Sequence, residues 1–104
     1  MTDRIEKLKE FLKGNPDDSF LKHAMALEQV KLGDDEGAVS TFQEILETEP
    51  GYVGSYYHLA ACLLRLGQTE KALAIYHKGM EEAKKAGDHH AYNELRAAYE
   101  DITE

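Results

Sequence analysis

The sequence has little cysteine, no tryptophan and no long apolar run. Its one cysteine, Cys62, cannot form an internal disulfide, so the cysteine content gives no sign of an oxidising compartment. No apolar run approaches the ~18–20 residues that cross a bilayer. The charged segment 1–11 lacks the apolar core of a signal peptide. We therefore expect a cytoplasmic protein with no membrane-spanning segment.

Basic residues are scarce, since 12 lysines and arginines face 20 aspartates and glutamates, which gives a net charge of −8. Nucleic-acid binding needs Lys and Arg to displace condensed counterions, so we expect no nucleic-acid partner. Residues 15–50 carry nine acids and two bases, a net charge of −7, whereas residues 51–87 carry three acids and five bases, a net charge of +2. Charged helix faces exposed to solvent explain such a pattern. The alternative is that the charges steer a partner electrostatically, or that two copies associate through their unlike halves.

Motifs of catalysis and metal binding are absent. The sequence contains no HExxH, no CxxC and no glycine-rich phosphate-binding motif. His58 and Cys62 lie four residues apart on one helix face, a usable spacing for two metal ligands, but no pattern supplies a third and a fourth. Apolar and small neighbours indicate that Cys62 is a buried, unreactive thiol. We expect no metal, no cofactor and no enzymatic activity; a metal-dependent or thiol enzyme is the least supported alternative.

Glycine and proline divide the chain into six helical segments. Residues 2–13 place apolar side chains on one helix face, namely Ile5, Leu8, Phe11 and Leu12. Helix-ending residues then recur along the chain, at Gly14–Pro16, Gly33, Pro50–Gly51, Gly67 and Gly87. Residues that favour helix N-termini follow these breaks: one of Asp17, Asp18 and Ser19 as a cap, the acidic residues Asp34, Asp35 and Glu36 at the start of the third helix, and Thr69 and Asp88 as caps. The pattern predicts an all-α domain of about six helices with antiparallel neighbours.

A self-repeat of 34 residues organises these helices. Shifting the chain by 34 places Ala26 on Ala60, and the same shift aligns Gly33 with Gly67, Ala38 with Ala72 and Phe42 with Tyr76. A fixed period of this length is typical of stacked repeat arrays. The small residues stand in mid-helix, where two backbones come close, and the aromatic residues fill the space one turn later. Gly79 is also mid-helix, and we expect close packing there, against the last helix.

The pattern resembles the tetratricopeptide repeat. In that family's frame the eighth position is Ala26 and Ala60, the twentieth Ala38 and Ala72, the twenty-fourth Phe42 and Tyr76, and the thirty-second Pro50. The fourth position is Tyr56 in the second repeat but Lys22 in the first, and Lys22 departs from the family pattern. The resemblance implies a right-handed superhelix of antiparallel helix pairs, in a single domain 1–104. Its expected parts are a half-repeat at 2–16, repeats at 19–52 and 53–86, and a capping helix at 88–103.

The last helix departs from the frame in a way that suggests a cap. It matches the second repeat at an offset of 36, and Arg96 then occupies the close-packing position of Ala26 and Ala60. An arginine there would obstruct a following helix, and repeat arrays need such terminal caps for solubility. We expect the chain to be a complete array rather than a piece of a longer one.

The resemblance also implies a recognition surface. The first helix of each repeat lines the concave side, and aromatic and arginine residues are the usual carriers of affinity at such surfaces. The candidate binding residues are Phe20, His23, Lys31, Tyr57, Arg65, His90 and Asn93. Positions five and nine lack the Lys and Asn with which some repeats of this family grip a chaperone's terminal carboxylate.

Two functions follow from this surface and from the half-repeat. The leading hypothesis is a scaffold that binds another protein, or a peptide segment of one, weakly in the concave groove. The alternative is a self-assembling protein, such as a homodimer, because the half-repeat lacks its partner helix and repeat ends stack readily.

Overall fold

The computed structural model describes the backbone of residues 2–104 and the side chains of residues 4–104, so residue 1 of the predicted domain lies outside the described residues. This part contains no strand. Its six helices are α1 Thr2–Gly14, α2 Ser19–Lys31, α3 Asp35–Thr48, α4 Gly54–Arg65, α5 Thr69–Ala86 and α6 His89–Thr103. The all-α prediction is confirmed, and the division into repeats stays a prediction. Over the described range no helix is both long and apolar enough to cross a membrane.

Three of the helices have an aspartate as N-cap, which confirms the prediction for Asp88 and selects Asp18 among the three predicted alternatives for α2. The carboxylate of Asp18 accepts a hydrogen bond of 3.1 Å from the backbone N–H of residue 21, and Asp34 and Asp88 accept equivalent bonds of 2.9 and 3.0 Å. Each bond satisfies a backbone donor that the first turn of a helix leaves without a partner. The prediction that Thr69 caps α5 was wrong, because Thr69 is the first helical residue. The N-cap is the preceding Gln68, whose side chain makes no capping bond.

The matching glycines end the first helix of each repeat. Gly33 and Gly67 have φ angles of 80° and 78°, a left-handed conformation that side chains with a Cβ rarely adopt. Their backbone N–H groups bond back to Val30 and Leu64, which closes the last turn of α2 and of α4. The chain then reverses, so that successive helices pack antiparallel.

The 34-residue repeat corresponds to the core. The four alanines at the small positions, Ala26, Ala38, Ala60 and Ala72, are fully buried. Phe42 and Tyr76 are buried beside them, and α4 packs against α3, α5 and α6. A larger side chain at an alanine position would push two backbones apart and cost packing on both.

Helix α1, the predicted half-repeat, is covered less completely than its sequence match in α3. Leu8 is buried, but Phe11 is 60% exposed, although Ile45 at the equivalent position of α3 is fully buried. The reason is that α3 packs between α2 and α4, whereas α1 packs mainly on α2. One side of the apolar face of α1 is therefore left open to solvent.

A pair of histidines joins α2 to α4. His23 of α2 and His58 of α4 have ring centroids 5.6 Å apart, and the ring of Phe42 lies 5.5 Å from the first and 6.1 Å from the second. Nδ1 of His23 and Oγ of the buried Ser55 share a hydrogen bond of 2.8 Å. Burial lowers the pKa of both histidines, and the nearby charge of His58 lowers the pKa of His23 further. Glu94 acts in the opposite direction on the pKa of His58 without reversing the shift.

This pair predicts that the fold weakens in mild acid. The unfolded chain takes up protons on these histidines near their ordinary pKa of 6.5, whereas the folded chain resists them, so stability is full above about pH 6.5 and falls below it. Urea titrations should give a lower midpoint at pH 5.5 than at pH 7.5. His23→Gln with His58→Gln should reduce this difference, and the exposed control His89→Gln should keep it. A midpoint unchanged or higher at pH 5.5 would contradict the prediction.

Gly79 provides a second prediction. A Cβ at this position would lie 2.7 Å from Cβ of Tyr56 and 3.1 Å from Cδ1 of Leu95 on α6, so the expected close packing is present. Cβ of Tyr56 is fixed to its backbone and cannot swing away. Gly79→Ala should therefore lower the free energy of unfolding by about 1–2 kcal/mol, even though alanine favours helix by ~1 kcal/mol over glycine.

The matched control for Gly79 is Gly54→Ala in the first turn of α4. An added Cβ there meets nothing within 4 Å, and we expect no loss of stability. Thermal unfolding followed by circular dichroism checks both variants, since about 1 kcal/mol moves the midpoint by roughly 4–8 °C in a domain of this size. A Gly79→Ala variant as stable as the parent would show that α4 and α5 can separate easily.

Candidate functional site

The first helices of the repeats and the last helix stand side by side and form what we call the inner face (α2, α4 and α6). The contact between His23 and Ser55 joins α2 to α4, and α4 in turn contacts α6. All seven candidate binding residues lie on these helices. Phe20, His23 and Lys31 belong to α2, Tyr57 and Arg65 to α4, and His90 and Asn93 to α6.

A cleft opens on the inner face between α4 and α6. Its volume is about 510 Å³, and the residues around it are Tyr57, Leu64, Tyr76, Glu94, Ala97, Ala98, Asp101 and Ile102. Tyr57 is 40% exposed, and its ring meets that of the buried Tyr76 edge to face, with centroids 6.1 Å apart. The cleft thus combines apolar walls with one accessible aromatic ring. Of the candidate residues only Tyr57 lines it.

The rim of this cleft is acidic. Glu94 and Asp101 lie seven residues apart on α6, which places them two turns apart on one side of that helix. Both are exposed, and the nearest cation recorded beside Glu94 is the imidazole of His90, 3.6 Å away and charged only when protonated. Residues 88–104 contain five acids and one base, a net charge of −4. The cleft therefore favours a positively charged group beside an apolar one.

The guanidinium group of Arg65 is bonded to other side chains of the protein. Its Nε and Nη2 each lie 3.0 Å from a carboxylate oxygen of Asp35, and Nη2 is also 3.3 Å from Sγ of Cys62. The hydrogen bond from Arg65 is the main cause that lowers the pKa of Asp35. Two parallel bonds to one carboxylate give a geometrically specific ion pair. Arg65 thus joins the end of α4 to the start of α3, and its charge is largely satisfied.

Cys62 is buried beside this pair, as the sequence indicated. Burial is the main cause that raises the pKa of its thiol, and the nearby Asp35 raises it further, against the charge of Arg65. A raised pKa keeps the thiol protonated and poorly nucleophilic. Among the described residues, no three His, Cys, Asp or Glu side chains stand close enough to share a metal ion.

The other candidate binding residues differ in their solvent exposure and in the contacts that they already make. Phe20 is 70% exposed at the start of α2, whereas His23 is half-buried in the histidine pair. Nζ of Lys31 lies 3.5 Å from Glu28, whose carboxylate also accepts a 2.9 Å bond from Arg4. His90 and Asn93 are exposed on α6.

Sequence reasoning did not single out Glu94, which forms half of the acidic rim. Glu94 lies outside the inner positions that the resemblance implies for α6. The spacing of seven residues between Glu94 and Asp101 is the signal in the sequence that could have found it.

Comparison with known proteins supports one family. The tetratricopeptide repeat family pattern matches residues 29–99. Protein FlbA of Caulobacter vibrioides is 33% identical over 73 residues, which are 70% of this chain and 12% of that protein. The present chain therefore spans only a small part of this curated relative.

Two solved structures resemble the fold. The solution structure of a tetratricopeptide repeat domain protein from Salinibacter ruber is 38% identical, with a TM-score of 0.77, over 81% of this chain and 85% of that one. The solution structure of a Bordetella parapertussis protein has a TM-score of 0.83 at 19% identity, over 95% of this chain and 86% of that one, and shows the fold alone. Tetratricopeptide repeat folds generally mediate protein–protein interaction, and proteins of the family are typically non-enzymatic scaffolds. With its buried alanines in the 34-residue frame and a family match over most of its length, this chain belongs to the tetratricopeptide repeat family.

Proposed function

We propose that the chain is a cytoplasmic scaffold whose inner face binds an extended segment of another protein, anchored in the cleft between α4 and α6. The observation that carries the proposal is this cleft of about 510 Å³, in which the exposed ring of Tyr57 stands beside apolar walls. Its volume lies within the range of pockets that bind ligands, and it has room for a large apolar side chain. Membership of a family of interaction modules supports the same conclusion.

The acidic rim sets the chemistry of the partner. A segment that inserts an aromatic or aliphatic side chain between Leu64 and Ala97 would bring its neighbouring residues against Glu94 and Asp101. Lysine or arginine at those neighbouring positions would be attracted, and the attraction would weaken as salt screens it. The preferred partner is therefore an apolar anchor flanked by basic residues. Phe20, Lys31, His90 and Asn93 extend the proposed surface on either side.

The affinity should be modest. A single cleft and a short row of exposed side chains bury less area than the standard interfaces of stable complexes. Arg65 and His23 contribute by keeping α2, α3 and α4 in place, because their polar atoms are already bonded inside the protein.

Closing the cleft tests the proposal. Random 12-residue peptides displayed on phage are selected on the whole chain, and enriched peptides are synthesised and measured by fluorescence anisotropy. We expect an apolar residue beside Lys or Arg in these peptides. Ala97→Arg should weaken their binding tenfold or more, since the new side chain fills the cleft and repels a basic segment. Its charge lies between Glu94 and Asp101, so α6 should stay folded.

The matched control for Ala97 is Ala74→Glu, on α5 and away from the inner face. Ala74 is exposed like Ala97, and the new carboxylate lies between Lys71 and Lys78, which should keep α5 stable. Peptides that bind Ala97→Arg as well as the parent chain, or that carry no basic residues, would overturn the inner-face proposal.

Self-association is a second candidate, favoured by two exposed phenylalanines. Phe11 and Phe20 are 60% and 70% exposed and flank the turn between α1 and α2. Arg4 and Arg96 are exposed and occupy the positions of Ala38 and Ala60 in the frame, so a second copy that stacked there would meet a charged side chain instead of a small one. A dimer would therefore pair through the phenylalanines rather than by stacking another repeat.

Sedimentation velocity tests this second candidate. If the phenylalanines pair two copies, the parent chain should associate as its concentration rises from micromolar to millimolar. Phe11→Ser with Phe20→Ser should abolish the association, and Leu32→Ser, which changes a 54% exposed leucine elsewhere, should not. A parent chain that stays monomeric throughout would rule the dimer out.

A further inference from the structure

A second groove lies on the opposite side of the molecule, between α3 and α5, and we call it the outer groove. Both helices pack on α4, which forms its floor. Two clefts of about 460 and 380 Å³ open along it, and they share Gln43 on one wall and Ile75 on the other. The two clefts are thus parts of one continuous depression.

The interior of the outer groove is apolar. Val39 and Leu46 line it from α3, seven residues apart and therefore two turns apart on one side of the helix. Ala74 and Ile75 line it from α5, and Leu66 contributes from the end of α4. These side chains are half-buried or exposed, so an arriving apolar side chain would remove their remaining surface from water.

The two walls of the groove carry opposite charges. Glu36 and Glu47 lie along the α3 wall, and Lys71 and Lys78 lie along the α5 wall. Within the described residues, Lys78 forms an ion pair with Glu82 at 3.3 Å, whereas the other three take part in no ion pair. Three of the four rim charges are therefore available to a partner.

We infer that the outer groove binds an amphipathic helix of a partner protein, with basic residues along the flank that faces α3 and acidic residues along the flank that faces α5. A partner helix satisfies its own backbone groups, so it needs no backbone bonds from the walls, which are themselves helices. The apolar side chains along one face of a partner helix form ridges, and these ridges can pack into the groove between the side chains of α3 and α5. From Glu36 to Glu47 the wall is about 16 Å long, or three helical turns.

This inference concerns a surface distinct from the inner face and does not depend on the function proposed there. Charge complementarity separates the two occupants. The inner cleft favours a basic segment, whereas the outer groove requires a helix with one basic and one acidic flank. An apolar stripe repeating at three and four residues should separate these flanks.

A library of helical peptides tests the outer groove. Peptides of 15 residues carry Leu, Ile, Val, Met or Phe at four positions on one face, with the flanks varied among Lys, Glu, Gln and Ala, and they are displayed on yeast and sorted on the whole folded chain. We expect enriched peptides to carry Lys on one flank and Glu on the other. Ala74→Glu should reduce their binding tenfold or more by filling the groove, and Ala97→Arg should leave it unchanged.

Charge-reversal variants of the two walls test which flank of the bound helix faces α3 and which faces α5. Glu36→Lys with Glu47→Lys, and separately Lys71→Glu, should each weaken an enriched peptide about two- to fivefold, as expected for exposed ion pairs. A peptide with its two flanks exchanged should bind the triple reversal more tightly than the parent chain does. Circular dichroism confirms that each variant is folded.

Four results would overturn the inference. The first is a sort that enriches no peptide, and the second is an enriched set without a charge preference on its flanks. The third is binding that Ala97→Arg abolishes and Ala74→Glu does not, which would assign the peptides to the inner face. The fourth is association of the chain with itself that Ala74→Glu abolishes, which would assign the groove to a second copy.

Discussion

The close approach of helix backbones at the buried alanines is the constraint on which the rest of the structure depends. Ala26, Ala38, Ala60 and Ala72 are fully buried, so a larger side chain at any of them would have to displace its neighbours. Dense packing of this kind leaves no room for an added carbon, and Gly79 extends it, since even a Cβ would collide with Tyr56. The distances between helices are thus determined by small residues at fixed spacing.

Both candidate surfaces depend on the central helix α4. The central helix α4 packs on α3, α5 and α6. Its side chains therefore divide between two faces, with Tyr57 and Leu64 toward the inner cleft and Leu59 and Leu63 toward the outer groove. α4 is short, so the same few turns support both surfaces. Its position is maintained on the α2 side by the histidine pair and on the α3 side by the bonds from Arg65 to Asp35.

The fold was predictable because its determinants recur in the sequence, whereas the contacts that shape the candidate site do not recur. Alanines at intervals of 34 and aspartates before helices specify packing and caps locally. The pair between Arg65 and Asp35 joins residues 30 apart, and it exists only because α4 ends where α3 begins. Spacing marked Arg65 as an inner-face residue but could not reveal its partner. Phe11 similarly matched a buried position, and its exposure depends on which helices cover α1.

Charge then decides how the two surfaces can be used together. A segment rich in lysine and arginine suits the inner rim of Glu94 and Asp101, but in the outer groove it would meet Lys71 and Lys78. A helix with one acidic flank suits the outer groove, and that same flank would be repelled at the inner rim. In each exchanged arrangement some like charges would meet, so the two proposed surfaces prefer different partners. If both proposed surfaces are used, these preferences would lead them to bind two different proteins rather than compete for one.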